Sequence, residues 1–137
     1  MDPNFALGHY QLGQALTQRK MHDQAIAAFR TAIELAGDRP VFASNLTYAL
    51  ALSGRTDEAQ HIVKELVAKQ SQYSPSHSNI ALAYLGLGDH GEAMAWLERA
   101  YQARFNPSIL MRPAFDPLRY DPRFQELLRR LRLPSAG

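Results

Sequence analysis

The chain is 137 residues long, 46% hydrophobic and 20% charged, with a formal net charge of +2, which suits one packed soluble domain. It has no cysteine, so a disulfide framework and thiol chemistry are excluded, and a reducing compartment fits. The longest run without Lys, Arg, Asp or Glu, Gln70 to Gly88, is broken by Gln, Ser, Asn, His and Pro and cannot span a membrane.

The start Met1-Asp2-Pro3-Asn4 lacks the basic residues and apolar run of a signal peptide, so a cytoplasmic location is expected. Charge is uneven. Residues 1–97 carry seven Lys/Arg against nine Asp/Glu, whereas residues 98–137 carry eight Arg against four Asp/Glu. The first part is therefore mildly acidic and the tail basic.

In chain order, Asp2-Pro3 reads as an N-cap followed by proline in the first turn of a helix reaching about Arg19. A second helix covers about Asp23 to Ala36 and stops at Gly37-Asp38. A third begins near Pro40, capped by Asp38, and ends at Gly54. Thr56 caps a fourth, which carries Asp57 and Glu58 where the helix dipole favours them and extends to about Gln70. Ser74-Pro75 repeats the cap-then-proline signal for a fifth. Asp89 and Glu92 have capping-box spacing at the start of a sixth. After Arg104 the pattern breaks. Asn106-Pro107 starts a short helical piece through Met111, and Pro113, Pro117 and Pro122 rule out a continuous helix between 112 and 122. Asp121-Pro122 then opens a last helix with Phe124, Leu127, Leu128 and Leu131 on one face, and Arg123, Arg129 and Arg130 off it.

Three of these helices share a register. Ala25, Ala59 and Ala93 are each followed by apolar residues at helical spacing, and the alanines stand 34 residues apart. Upstream, Leu12, Gly13 and Leu16 match Leu46, Thr47 and Leu50, and then Ile80, Ala81 and Tyr84. The chain is therefore a repeat array of helix pairs. Gly54 and Gly88 separate the helices of pairs two and three, where a left-handed residue is expected. Lys20 stands there in pair one, at a cost of about 1 kcal/mol if the backbone is the same.

These residues resemble the tetratricopeptide repeat, a 34-residue helix-turn-helix with Leu-Gly-x-x-Tyr, then Ala-x-x-x-Phe, then Pro. The first copy supplies Leu12-Gly13, Ala25 and Phe29; the third supplies Tyr84, Ala93 and Leu97; Pro3 stands where a preceding unit's proline would be. His9, Ala43 and His77 replace the signature tryptophan, and Thr47 the glycine. The resemblance implies an all-α, right-handed superhelix of three repeats (6–39, 40–73 and 74–107), with 108–137 as a C-terminal capping segment. It covers about residues 3–107. The abrupt start looks cut from a longer array or a larger protein.

The resemblance also implies that the first helix of each pair lines a concave groove for a protein or peptide partner. The matching positions are Tyr10, Gln11, Gln14 and Gln18, then Ser44, Asn45 and Tyr48, then Ser78, Asn79 and Leu82. Asn45 and Asn79 stand where the family often holds a peptide backbone, since an amide both donates and accepts. Relatives that grip an acidic C-terminus use Lys and Arg at positions held here by Tyr10, Gln14, Pro75 and Asn79. Only Asn45 agrees, so the groove is expected to be uncharged and its ligand a neutral extended or helical segment. Tyr10 and Tyr48 are the aromatics placed for a partner; Trp96 and Tyr101 belong to the core, and Tyr73 packs at a junction.

The stretch from Phe115-Asp116-Pro117-Leu118 through Asp121-Pro122-Arg123-Phe124, followed by Leu127-Leu128-Arg129-Arg130, also resembles the chain ending of bacterial multidomain signalling proteins. In those, a tetratricopeptide array follows an adenylate-cyclase, Ser/Thr-kinase or winged-helix domain. Self-association as a homodimer, or docking on such a parent domain, is the alternative to groove binding. The five histidines are scattered and no catalytic, phosphate-loop or metal-ligand motif occurs. Neither catalysis, a cofactor nor a metal is expected. Arg129, Arg130 and Arg132 read as the solvent face of a capping helix rather than a nucleic-acid surface.

Overall fold

The computed structural model describes residues 3–37, 39–69, 77–103 and 107–133, with the side chains of Pro3, Asn4 and Ser108 excepted. The caps expected at Asp2, Asp38, Ser74-Pro75 and Asn106, and the packing of Tyr73, lie outside these residues. Three helix pairs follow in order: α1 (Pro3–Gln18) with α2 (His22–Ala36), α3 (Pro40–Leu52) with α4 (Thr56–Lys69), and α5 (His77–Gly86) with α6 (His90–Gln102). Two 3-10 segments, Pro107–Met111 and Pro113–Leu118, lead to α7 (Pro122–Arg130). This is the all-α, right-handed superhelix of paired helices with a C-terminal capping helix.

Each pair turns on a left-handed residue at the same register: Lys20 at φ 62°, Gly54 at 89° and Gly88 at 80°. In each turn the next amide reaches back five residues: Met21 to Leu16 at 2.9 Å, Arg55 to Leu50 at 2.8 Å and Asp89 to Tyr84 at 3.0 Å. These bonds satisfy carbonyls the helix end would leave bare. The lysine thus holds a glycine's conformation. Arg132 at φ 59° repeats the device after α7, with Leu133 donating to Leu128 at 2.8 Å. Two starts behave as capped: the Asp89 carboxylate accepts from the Glu92 amide at 3.0 Å, and that of Asp121 from the Arg123 amide at 2.8 Å.

Within each pair the helices meet at the repeated alanines, since Ala25, Ala59 and Ala93 are all fully buried. The other half of the contact is a trade in volume. A methyl on Gly13 would stand 2.5 Å from the ring of Phe29, itself fully buried. The equivalent pairs are Ala81 with Leu97 and Thr47 with Val63. As the first residue grows from glycine to alanine to threonine, the second shrinks from phenylalanine to leucine to valine, keeping the packing density of an interior. Gly13→Ala is therefore expected to cost about 1–2 kcal/mol by overpacking, despite alanine's better helix propensity. Adding Phe29→Leu, which copies the third pair, should recover part of that loss in urea unfolding. Additive losses would mean that the two sites do not share the space.

Between pairs the stacking alternates. α3 packs mainly on α2 at the first junction and mainly on α5 at the second. The register position Gln18, Leu52, Gly86 accounts for this. A methyl on Gly86 would lie 2.9 Å from the Cα of Tyr48, so only glycine lets α5 approach α3 so closely. Leu52 occupies the same place on α3 and lines a cleft with Gln14, Thr17 and Gln18 of α1, where its bulk is expected to hold α3 off. A cleft of about 300 Å³ opens there on the α1–α3 side. A second, of about 340 Å³, opens on the other side between α4 and the α5–α6 turn.

The last segment is core rather than appendage. Leu110, Phe115, Leu118, Phe124, Leu127 and Leu128 are all fully buried in one apolar cluster with Ile80, Leu82 and Leu97. Trp96 is also buried in it, under the Arg99 guanidinium at 4.2 Å and beside the His77 ring at 5.7 Å. The α7 arginines face out and are paired: Arg123 with Asp121 at 3.0 Å, Arg129 with Glu126, and Arg130 with Glu98 on α6. At the other end, Leu12 is 50% exposed, whereas its counterparts Leu46 and Ile80 are 6% and 0% exposed.

Candidate peptide-binding groove

Apart from Tyr10, the ten groove positions divide into three groups. Gln11 and Gln18 on α1 are exposed, Gln14 is half-buried, and Gln14 and Gln18 line the α1–α3 cleft with Tyr48. Ser44, Asn45 and Leu82 are buried. Ser78 and Asn79 stay partly exposed on α5.

Tyr10 is less free than its sequence position suggested. Its ring packs 5.2 Å from Phe42 and 6.1 Å from Phe29, so most of it belongs to the junction. Only its hydroxyl reaches the groove, accepting from the Asn45 amide at 3.5 Å. Burial pushes the phenol's pKa up. The Arg112 guanidinium and hydrogen bonds with Asn45 and Gln14 pull the other way. Burial raises Tyr48 as well, again opposed by Arg112.

Arg112 corrects the expectation of an uncharged groove. It sits between the two 3-10 segments, and this stretch of chain crosses the face formed by α3 and α5. Its guanidinium donates to Asn45 Oδ1 at 3.1 Å, while the Asn45 amide donates to the Val41 carbonyl at 2.8 Å. The asparagine that matched a peptide-holding position is thus engaged by the protein's own tail. Its neighbour Ser44 turns back to the Val41 carbonyl at 3.2 Å. Leu82 is buried in the cluster that holds Leu110, Phe115 and Leu118.

What remains open is the half of the groove toward α1. Its cleft is walled by Gln14, Thr17 and Gln18 of α1, Tyr48 and Leu52 of α3, Lys20 and His22 at the first turn, and Arg112, Pro113 and Ala114 of the tail. The walls mix amides, a phenol and cations with apolar carbon, which suits a polypeptide with both backbone and side-chain groups to satisfy. No group of three or more His, Cys, Asp or Glu able to hold a metal occurs among the described residues. Nor is any helix among them long and apolar enough to cross a membrane.

Comparison with known proteins agrees with this architecture. The family profile described as tetratricopeptide repeat matches residues 7–115. The TPR repeat-containing thioredoxin TTL4 of Arabidopsis thaliana is 34% identical over 77 residues, which is 56% of this chain and 11% of that protein. The heat-shock protein cognate (HSC) co-chaperone sgt12 of Aspergillus fumigatus is 27% identical over 94 residues, 69% of this chain and 28% of that protein. The chain thus spans between about a tenth and a little over a quarter of these relatives. No solved structure matches it significantly. Paired helices in a 34-residue register, turned on left-handed residues and matched over residues 7–115, identify a protein–protein interaction module: the chain belongs to the tetratricopeptide repeat family.

Proposed function

We propose that the chain binds a peptide segment of a partner protein in the open half of its groove, against Tyr10, Gln11, Gln14, Gln18 and Tyr48. The cleft of about 300 Å³ between α1 and α3 carries this reading. The tail covers the other half with fully buried Leu110, Phe115 and Leu118, so a ligand there would have to displace core. Asn45 acts through Arg112 and Tyr10, by holding both in place. Ser44 and Leu82 support the groove from beneath, and Ser78 and Asn79 border it. The test is display selection of peptides on the chain, then calorimetric titration. Selected peptides should bind Gln14→Ala/Gln18→Ala at least about tenfold more weakly, the loss expected for two interfacial hydrogen bonds. Gln60→Ala/Lys64→Ala, at the α4 cleft, should leave affinity unchanged. The reverse pattern would move the site to that other cleft.

A second reading rests on Leu12. Its half-exposed face has buried counterparts in both later pairs, and α1 carries no charged residue. Such a face suits self-association into a homodimer or docking on a neighbouring domain. Sedimentation of the chain and of Leu12→Lys decides: a monomer at every concentration rejects the homodimer. A place in a bacterial signalling or regulatory protein is supported by the tail resemblance alone, since the two relatives are from a plant and a fungus.

A further inference from the structure

Pairs one and two are clasped along their second helices by two ion pairs. Arg30 of α2 meets Glu58 of α4, and Asp23 of α2 meets Arg55, just before α4, at 3.2 Å. Thirty-four residues on, the first of these becomes Lys64 with Glu92, and the second becomes Asp57 with Asp89. The register thus sets two carboxylates where the first junction has a cation and a carboxylate. Among the described residues, none of Asp57, Lys64, Asp89 and Glu92 is in an ion pair.

This unclasped junction is where the second cleft opens. Its volume is about 340 Å³, and its walls are Gln60, Val63 and Lys64 of α4, Tyr84 of α5, and Leu87 and Asp89 of the turn that follows. The carboxylates reach into it electrostatically. After burial, Glu92 and Asp89 are what push the Tyr84 phenol's pKa up, with Arg99 opposing. An aromatic ring beside a carboxylate already holds arginine twice elsewhere in the chain. Arg130 lies over the Tyr101 ring at 4.7 Å while pairing with Glu98. Arg119 lies 5.8 Å from the Phe124 ring centre while bonding Asp116 at 2.8 Å.

We infer that the α4 cleft seats an arginine side chain of a partner protein, its guanidinium over Tyr84 and shared between Asp57 and Asp89. The cation that Arg55 gives to Asp23 at the first junction is then supplied at the second from outside. Arginine suits the place better than lysine, because its planar fork stacks on a ring and bonds carboxylates at the same time. A second copy of the chain is a poor source. Six of its described arginines, Arg30, Arg55, Arg119, Arg123, Arg129 and Arg130, already have carboxylate partners. The seat is separate from the groove and does not depend on it.

The test is nuclear magnetic resonance titration of the full chain with acetyl-Ala-Ala-Arg-Ala-Ala-amide and its Lys and Gln analogues at millimolar concentration. The Arg peptide should shift the amides of Gln60, Lys64, Leu87 and Asp89, and bind about tenfold more tightly than the Gln peptide. Asp57→Asn and Asp89→Asn should each weaken it about threefold, within the range of exposed ion pairs. Asparagine at 89 can still cap α6, so a lost helix start does not explain the loss. Tyr84→Leu should weaken the Arg peptide more than the Lys peptide, and Asp23→Asn, at the first junction, should leave both unchanged. An Arg peptide that binds no better than the Gln or Lys peptide, or ignores both Asn variants, overturns the seat. Shifts confined to Gln14, Gln18 and Tyr48 would put the arginine in the groove and overturn it, as would no shift at all. If the Gln60 and Asp89 amides move with protein concentration before any peptide is added, the occupant is a second copy and the partner protein is overturned.

Discussion

Phe115→Ala should lower folding stability by about 3–5 kcal/mol in urea unfolding, the cost of emptying a fully buried aromatic site. The ring is inaccessible and stacks on Phe124 at 6.4 Å, within a cluster that also contains Leu82 of α5 and Leu97 of α6. Few positions in a chain of this size carry so much, because its total stability is expected to be about 5–15 kcal/mol. The companion Tyr120→Ala, at a residue 77% exposed, should change stability by less than about 0.5 kcal/mol. The pair separates two pictures of the stretch after α6. If 107–118 is structural, Phe115→Ala unfolds the third helix pair with the tail, and the transition stays cooperative. If the stretch were a detachable lid, the loss would be small and the groove face of α5 would become available to ligands. The buried Leu110 and Leu118 on either side favour the first outcome. Arg112 is carried by the same stretch, so its place beside Asn45 depends on that burial.

The helix pairs were legible in the sequence because each repeats a chemical cause. Apolar spacing fixes the buried faces, and the small residues at 25, 59 and 93 mark the contacts. Asp89 and Asp121 announce helix starts, and even the odd Lys20 could be assigned its backbone from the register of Gly54 and Gly88. The groove was read only in outline. Its positions followed from the family resemblance, but what covers them did not. Residues 107–118 form 3-10 segments with no 3.6-residue pattern, and their packing depends on contacts with helices 25 or more residues earlier. Nothing local in Arg112 shows that it will meet Asn45, 67 positions away. The packing of Tyr10 was hidden for a related reason. Its position on the groove helix was right, but Phe42 at the start of the next pair claims most of its ring.

The register of Gln18, Leu52 and Gly86 carries the other large prediction. Gly86→Leu, which gives α5 the residue that α3 has at this place, should cost about 3 kcal/mol, at the upper end for overpacking. A flexible neighbour could move aside, but the obstacle here includes the Cα of Tyr48 at 2.9 Å, so α5 itself must shift. That shift would loosen the face on which the 3-10 segments rest and drag Arg112 from Asn45. Unfolding should therefore begin earlier in urea, and the Asn45 side-chain amide resonances should move. A Gly86→Leu protein as stable as the parent would mean that something other than residue 86 sets the α3–α5 distance. The converse substitution acts on function rather than on fold. Leu52 is 45% exposed and ends its helix, so Leu52→Gly should cost only about 1 kcal/mol, the propensity difference. With the spacer gone α3 can settle against α1, the cleft between Gln14, Gln18 and Tyr48 narrows, and peptide binding should fall while the chain stays folded. One register position would then account for two properties: glycine at 86 closes the second junction to build the core, and leucine at 52 holds the first one open.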